Sequence, residues 1–183
     1  MFFTHDTESA LAFVAAITDT DASASDSGDD ELRTIAQLSA LITTWKYSGR
    51  HDRDARELGE VRDARTQLRT IWLLDRDDAA DAVNALLADA HALPRLVRHD
   101  DLDWHIHATA LDEPLATRIL VEAAMAFVDV IRSDQMERLR ICDADDCESL
   151  YVDLSKNGSR RFCTTRCGNR MAVRAYRARA EAE

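Results

Sequence analysis

The chain is poor in residues that interrupt regular structure. It contains two prolines and five glycines in 183 residues, which disfavours an all-β fold rich in turns. Alanine, leucine and arginine are abundant, and this composition favours helices. No apolar run approaches the roughly 20 residues of a membrane span, and Met1–Asp6 lacks the basic region of a signal peptide. We therefore expect a cytoplasmic protein without a membrane partner, in a reducing compartment.

Motifs for catalysis are also missing. The sequence contains no glycine-rich phosphate loop, no paired-carboxylate motif and no nucleophile with an evident base. We therefore predict that the protein is not an enzyme. The opposite view, an enzyme in the N-terminal part, would require turnover of a metabolite by residues 1–136.

Cysteine occurs only four times, and all four residues fall within 26 positions near the C-terminus. Cys142 and Cys147 form one close pair, and Cys163 and Cys167 form a second. Two close pairs separated by a short span are typical of a zinc site with four thiolate ligands. Four thiolates fill every tetrahedral position, so the predicted Zn²⁺ is structural rather than catalytic. The alternatives are a disulfide-linked tail, four unrelated cysteines and a redox-labile zinc switch.

The residues between and after the cysteines predict a compact module. Leu150–Asp153 and Arg160–Phe162 should form two short strands, with Asn157-Gly158 in the turn between them. Cys163 and Cys167 are four residues apart, which places both on one face of the first turn of a helix. Knuckle, hairpin and helix make a treble-clef arrangement. The segment is too small for a core of its own, so metal binding should supply most of its folding free energy.

The net charge of −11 is unevenly distributed along the chain. Residues 1–136 contain 13 basic and 26 acidic side chains, whereas 154–180 contain eight basic and no acidic ones. A polyanion should therefore be contacted by this basic segment alone. An ordinary solvated face, or pairing with the acidic N-terminal part, is the competing interpretation. The residues predicted to contact double-stranded DNA are Arg160, Arg161, Arg166, Asn169, Arg170, Arg174 and Arg177.

Residues 1–136 have mainly helical periodicity. We predict helices over 7–18, about 30–47, 54–74, 79–90 and about 113–137. Gly49 should cap the second helix in a left-handed conformation. Arg65 interrupts the apolar stripe of the third helix and should bury its stem at the edge of the core.

Residues 93–108 change from helical periodicity to alternation. This change predicts a β-hairpin around His99-Asp100-Asp101. Trp104 and Ile106 share one face of its second strand, while His105 and His107 share the other. The alternation favours a solvent-facing position for the histidines over a metal site, and a ligand pocket is expected near Trp104 and the hairpin.

These elements together predict an α+β fold in two domains. The first, over 1–136, is mostly helical with a small β-hairpin. The second, over 137–183, is a treble-clef zinc finger.

Four short motifs follow one another through the C-terminal region: Cys142-x4-Cys147, Tyr151-x-Asp153-x-Ser155-x-Asn157, Arg160-Arg161-Phe162-Cys163 and Cys167-Gly168-Asn169-Arg170. This pattern resembles the CGNR zinc finger family. Members usually carry an N-terminal ABATE domain and are regarded as stress-induced bacterial transcription regulators. Phe162 stands where the family usually has Trp, and three residues rather than four separate Cys163 from Cys167.

The resemblance implies a function for both parts of the chain. It implies a treble-clef finger that binds DNA and an α/β domain over 1–136 that binds an unidentified small-molecule effector. The predicted protein is a zinc-dependent, DNA-binding transcriptional regulator that responds to stress. A zinc-finger module for protein–protein interaction is the alternative.

Overall fold

The computed structural model describes residues 3–25, 27–98 and 104–181. For residue 181 it describes the backbone only. Within these ranges the chain forms helices and short strands in an α+β arrangement, which confirms the predicted fold class. In chain order the elements are α1 (His5–Thr18), α2 (Ile35–Thr44), α3 (Ala55–Trp72), α4 (Arg76–Asp89), β1 (Arg95–Val97), β2 (His105–His107), α5 (Leu115–Arg132), a 3₁₀ turn (Met136–Arg138), β3 (Leu139–Ile141), β4 (Leu150–Val152) and α6 (Thr165–Glu181).

Helix starts are set by short polar side chains. Asp54 accepts a hydrogen bond from the Glu57 N–H and thereby caps α3. Thr34 and Gln37 form a reciprocal capping box at the start of α2. This box explains why α2 begins at Ile35 rather than near residue 30, where the apolar spacing placed its start.

α5 is the central helix of the core and contacts α1, α3 and α4. Its alanines Ala123 and Ala124 are buried and permit close helix packing. Phe127 meets Trp72 of α3 edge-on, with ring centroids 6.2 Å apart. The helix ends at Arg132, not near residue 137 as predicted, because Asp134 adopts a left-handed conformation with φ 54°.

The linker between α2 and α3 is fixed by a buried arginine. Arg118 of α5 is 2% exposed, and its guanidinium donates to the carbonyls of Ser48, Arg50 and Glu113. Gly49 has φ 90°, and a Cβ there would lie 2.6 Å from Arg118 Nη1. Gly49 therefore makes room for this guanidinium, and the predicted cap position past α2 is taken instead by Lys46, with φ 51°.

β1 and β2 form an antiparallel pair in which Val97 lies opposite His105. The predicted turn, His99-Asp100-Asp101, lies outside the described residues. The predicted orientation of β2 is wrong: His105 and His107 are 8% and 9% exposed, whereas Ile106 is 50% exposed. Alternation identifies two faces of a strand but not which one is buried.

β3 and β4 form a second antiparallel pair, with Ile141 opposite Leu150. The predicted pairing of β4 with residues 160–162 is therefore wrong. A carboxylate closes that turn instead, because Asp153 accepts hydrogen bonds from the N–H groups of Ser155 and Arg160. Leu150 joins the same buried core as the N-terminal helices.

Candidate metal centre

The four cysteines converge at one point. Their Sγ atoms all lie within 4.8 Å of one another, and Cys163 Sγ is 3.7 Å from both Cys147 Sγ and Cys167 Sγ. A tetrahedron of thiolates around Zn²⁺, with Zn–S bonds of about 2.3 Å, has edges of about 3.8 Å. A disulfide would bring two sulfurs to about 2.0 Å, and all four cysteines are free. The spacing therefore fits four ligands of a single Zn²⁺.

Two different local structures present the cysteines. Cys142 follows β3 directly, and its N–H donates to the Ser149 carbonyl at 2.9 Å. Cys167 lies in the first turn of α6, where its N–H donates to the Thr164 hydroxyl at 3.3 Å. The predicted position of Cys163 within the helix is wrong, because α6 begins at Thr165. The short spacer leaves Cys163 in the segment that enters the helix.

Hydrogen-bond donors point at two of the sulfurs. The Cys163 N–H lies 3.4 Å from Cys142 Sγ, and Arg170 Nη2 lies 3.4 Å from Cys167 Sγ. Four thiolates and one Zn²⁺ carry a formal charge of about −2. A guanidinium beside such a group lowers its electrostatic cost and orients the ligand. Arg170, predicted as a DNA contact, thus lies against the metal centre.

The thiol pKa values of Cys142, Cys163 and Cys167 are shifted in different directions. Burial raises the pKa of Cys142, and burial together with the neighbouring cysteines raises the pKa of Cys163 strongly. Burial also opposes ionisation of Cys167, but the hydrogen bond with Thr164 and the nearby cysteines outweigh it and lower the pKa of that thiol. Zinc must displace the protons of its ligands, so binding should release protons and weaken as pH falls.

Phe162 and Gly168 form a close contact beside the centre. A Cβ at Gly168 would lie 3.3 Å from Phe162 Cδ2, so the absence of a side chain lets the ring approach the first turn of α6. Phe162 and Met171 pack against the buried cluster of Cys142, Ala144 and Cys167. This contact gives a physical reason for an aromatic residue before the third cysteine and a glycine after the fourth.

Two of the predicted DNA contacts are paired with acids of the cysteine knuckle. Arg170 Nη2 lies 2.6 Å from Asp146 Oδ1. Arg174 contacts the carboxylate of Asp145 and lies 2.7 Å from Asp146 Oδ2. Closure of the four cysteines places the knuckle beside α6, which the linear sequence does not show.

Two more residues that were predicted to contact DNA, Arg160 and Arg161, make interactions in the turn before α6. Arg161 Nε lies 2.8 Å from Asp143 Oδ2. Arg160 stacks over the Tyr151 ring at 4.8 Å and donates to the Phe162 carbonyl at 2.9 Å. Both arginines therefore stabilise the turn.

The remaining predicted contacts are exposed. Arg166, Asn169 and Arg177 project from α6 into solvent. Helical spacing places Arg166 and Arg177 close to one line along the helix, with Val173, 49% exposed, beside them.

The cysteine region is fastened to the N-terminal helices by hydrogen bonds. Arg69 of α3 donates to the Glu148 carbonyl at 3.0 Å. The Leu150 N–H donates to Asp19 Oδ1 at 2.9 Å, at the end of α1, and the Ser149 hydroxyl donates to the Ala24 carbonyl at 3.0 Å. The metal centre and the helical core therefore share a direct junction.

The fold and the cysteine cluster define a class: a mainly helical protein carrying a four-cysteine metal site near its C-terminus. The model of the ABATE family, described as "Putative stress-induced transcription regulator", matches residues 8–134, and the chain belongs to this family. The model of the CGNR zinc finger matches residues 138–180. The resemblance inferred from the cysteine motifs is thereby confirmed.

The remaining findings concern enzyme families, curated proteins and membrane-spanning helices. Neither matching family is a family of enzymes. No curated protein matches the chain. Within the described ranges, no helix has both the length and the apolar character to span a membrane.

Proposed function

We propose that this protein is a zinc-dependent, DNA-binding transcriptional regulator. Residues 137–183 would form a treble-clef finger with Zn²⁺ bound by Cys142, Cys147, Cys163 and Cys167. Residues 1–136 would sense a small-molecule ligand, and the family description supports a response to stress. The observation that carries this proposal is α6, an arginine-bearing helix that begins at the metal centre and leaves the protein body.

α6 has the dimensions and the exposure for groove binding. Its 17 residues extend about 25 Å, and a major groove about 12 Å wide admits one helix. Residues 172–180 are all exposed. Arg166, Asn169 and Arg177 are exposed side chains with hydrogen-bond donors, and Val173 supplies an apolar group of the kind that contacts thymine methyls.

The arginines of α6 divide into two groups. Arg170 and Arg174 are neutralised by knuckle acids, so their first role is to hold the knuckle against the helix. Arg166 and Arg177 lie nearer the ends of the helix and, like Asn169, are more exposed than Arg170. We expect the DNA-contact surface to centre on these three exposed residues.

Binding of zinc-loaded, full-length protein to duplex DNA tests the proposal. A DNA pool of random sequence supplies the ligand, and affinity is measured between about 50 and 200 mM salt, where each phosphate contact contributes about 0.9 to the slope. Arg177→Ala should weaken binding and reduce the slope by about one contact. Arg56→Ala, an exposed change on α3, is the matched control and should alter neither. Absent or salt-independent binding would contradict the proposal.

The alternative is a protein-interaction module, and one observation favours it. Tyr176 and Val173 of α6 are 67% and 49% exposed, and their spacing of three residues makes them neighbours on one face of the helix. A protein partner recovered with the zinc-loaded chain should then be lost in Tyr176→Ser and kept in Arg177→Ala. The opposite result favours DNA.

A further inference from the structure

A cavity of about 300 Å³ lies between α1, β2, α5 and residues 45–48, away from the cysteines. Its volume is at the lower end of those of small-molecule sites. The cavity adjoins β2 of the hairpin near which a pocket was expected, and Trp104 is not among its lining residues. The inference drawn below rests on the proposed sensing role of residues 1–136 and names the class of ligand.

One wall of the cavity is aromatic. The Phe13 ring stacks on Tyr47 with centroids 5.1 Å apart and meets Trp45 edge-on at 5.5 Å. Phe13 is buried, while Trp45 is 36% exposed at the rim. Val14 and Met125 extend the same lining. This wall suits the apolar body of a ligand and offers ring faces that attract cations.

The floor of the cavity has buried polar groups. The Tyr47 hydroxyl is inaccessible to solvent and meets no described residue in full hydrogen-bond geometry, although the Glu122 carboxylate lies near enough to interact with it. Burial, the negative charge of Glu122 and this interaction hold the pKa of Tyr47 well above its ordinary value, so this group stays protonated. A ligand donor that reached both groups would complete their hydrogen bonding.

Two histidines extend this polar floor. His107 Nδ1 is 3.6 Å from Glu122 Oε1, and His107 Nε2 is 3.0 Å from His105 Nε2. The carboxylate favours a proton on His107 Nδ1, so His107 Nε2 accepts a hydrogen bond from His105. Glu122 adds a carboxylate to this cluster.

Charges around the cavity favour a positive ligand. Three carboxylates line it, those of Asp6, Glu122 and Asp129, against the single ammonium of Lys46. Asp129 Oδ2 accepts a hydrogen bond from the Thr7 hydroxyl at 2.6 Å, which fixes its position. Arg118 lies behind the Tyr47 ring at 5.4 Å, but backbone carbonyls already occupy its donors.

We infer that this cavity binds a small organic cation, with an ammonium or amidinium group directed at Glu122 and the Tyr47 hydroxyl and an apolar body against Phe13 and Trp45. Such a cation gains a charge-assisted hydrogen bond and contact with an aromatic wall. An anion would meet three carboxylates.

α1 connects this cavity to the metal centre. Residues 4–14 include much of the lining, and Asp19, which follows the last turn, accepts the Leu150 N–H of β4. Ile17 and Leu150 belong to the same buried core. A ligand that shifts α1 would therefore also move residues that contact β4, the strand that follows Cys147.

Calorimetry on the zinc-loaded, full-length protein tests the ligand class. The probes are 2-phenylethylammonium, 2-phenylethanol and 3-phenylpropionate, which share an aromatic body and differ in charge. The ammonium should bind at least about tenfold more tightly than the alcohol, since a hydrogen bond to a charged group contributes about 1.5–3 kcal/mol. The carboxylate should bind most weakly.

Three variants locate the binding site. Glu122→Gln should weaken ammonium binding at least about tenfold and leave alcohol binding unchanged. Tyr47→Phe keeps the ring and should weaken ammonium binding by a smaller factor. Glu60→Gln removes a carboxylate from the surface of α3 and should change nothing. Circular dichroism verifies that each variant is folded.

Several results would overturn the inference. Equal affinity for all three probes, a preference for the carboxylate, or no binding of any probe would each do so. Unchanged ammonium affinity in both Glu122→Gln and Tyr47→Phe would place binding elsewhere. The titrations contain no DNA, so a failure of DNA binding leaves their result intact, and the reverse also holds.

Discussion

Two clusters of buried side chains hold this protein together, and they differ in size and chemistry. The larger joins 26 buried residues, most of them from the helices and one of them Leu150 of β4. The smaller joins only Cys142, Ala144 and Cys167, with four partly buried neighbours. Burying one large apolar side chain contributes about 1.5–3 kcal/mol, whereas ordering one residue costs about 1–2 kcal/mol in backbone entropy. Apolar burial can therefore support the helical part, while we expect the cysteine region to depend on a bound metal.

The two clusters are nevertheless connected. Trp72 is buried in the larger one, and its Nε1–H donates to the Arg140 carbonyl at 3.3 Å, two residues before Cys142. A domain boundary near residue 136 stays a prediction, since the apolar core extends past it to Leu150. The two regions therefore differ in what stabilises them, and four experiments test that difference.

Removal of zinc should have the largest effect, and the loss of structure should be confined to the cysteine region. A chelator, or Cys142→Ser, should disorder the knuckle and α6, because a structural Zn²⁺ contributes about 10–16 kcal/mol of apparent binding free energy. Amide resonances of residues 142–181 should collapse toward random-coil shifts, while those of α5 remain dispersed. Unchanged α6 resonances, or loss of the α5 signals as well, would contradict this division.

Phe127→Ala should have the next largest effect, and this effect should fall on the helical core. Truncating a fully buried phenylalanine costs about 3–5 kcal/mol of the free energy of unfolding, measured by urea denaturation. The zinc content per chain should stay unchanged, because Phe127 lies in the helical core. Tyr176→Ala truncates an exposed aromatic side chain and should cost less than about 0.5 kcal/mol. Equal costs for the two changes would refute the assignment of the core.

Asp30→Asn should reduce stability by about 2 kcal/mol at neutral pH. The hydrogen bond from Arg65 is the main cause that lowers the pKa of Asp30 from 3.8 to about 2, and each pKa unit corresponds to about 1.4 kcal/mol. Because the folded-state pKa is depressed, this contribution is present above pH 3.8 and is lost as pH falls toward 2.

The pH dependence of the free energy of unfolding tests the contribution of the Asp30–Arg65 ion pair. Urea titrations of the helical transition between pH 5 and 2 should show a shallower decline in Asp30→Asn than in the unaltered protein. Asp29→Asn removes the neighbouring exposed carboxylate and should leave the decline in place. Parallel curves for all three proteins would mean that Asp30 and Arg65 contribute little.

Asp146→Asn should have the smallest effect and concerns DNA rather than stability. It removes the carboxylate shared by Arg170 and Arg174, so Arg170 keeps its contact with Cys167 Sγ and Arg174 keeps Asp145. Both guanidiniums then interact more readily with phosphate. Exposed ion pairs contribute little, so DNA affinity should rise by no more than about fivefold, with a steeper salt dependence. Glu137→Gln, an exposed change before β3, should have no effect, and weaker DNA binding by Asp146→Asn would count against the proposed surface.

The sequence anticipated features that depend on local periodicity or spacing. Helical repeats predicted the helices, and the cysteine spacing predicted the convergence of four thiols as well as the family. Arg65 shows the limit of this reasoning. It was expected only to bury its stem, yet the residue is 5% exposed and its guanidinium pairs with Asp30 at 2.9 Å. That partner lies 35 positions away, beyond any helical repeat.

Several missed features depend on contacts that no local repeat encodes. Alternation could not show which face of β2 is buried. The Asn-Gly turn suggested a hairpin, but Asp153 closes that turn while β3 supplies the strand partner. The knuckle acids beside Arg170 and Arg174 became neighbours of α6 only through closure of the cysteine site. Pairing of this kind is decided by tertiary packing rather than by local sequence.

The place of Leu150 in the helical core affects how the protein is made. A ribosome completes α5 at Arg132, but the residue that covers the end of α1 is added 18 positions later. At about 5–20 residues per second this delay is about 1–4 s. During it, the apolar surface around Ile17 has no strand to cover it, so nascent chains interrupted in this interval should be targets for chaperones.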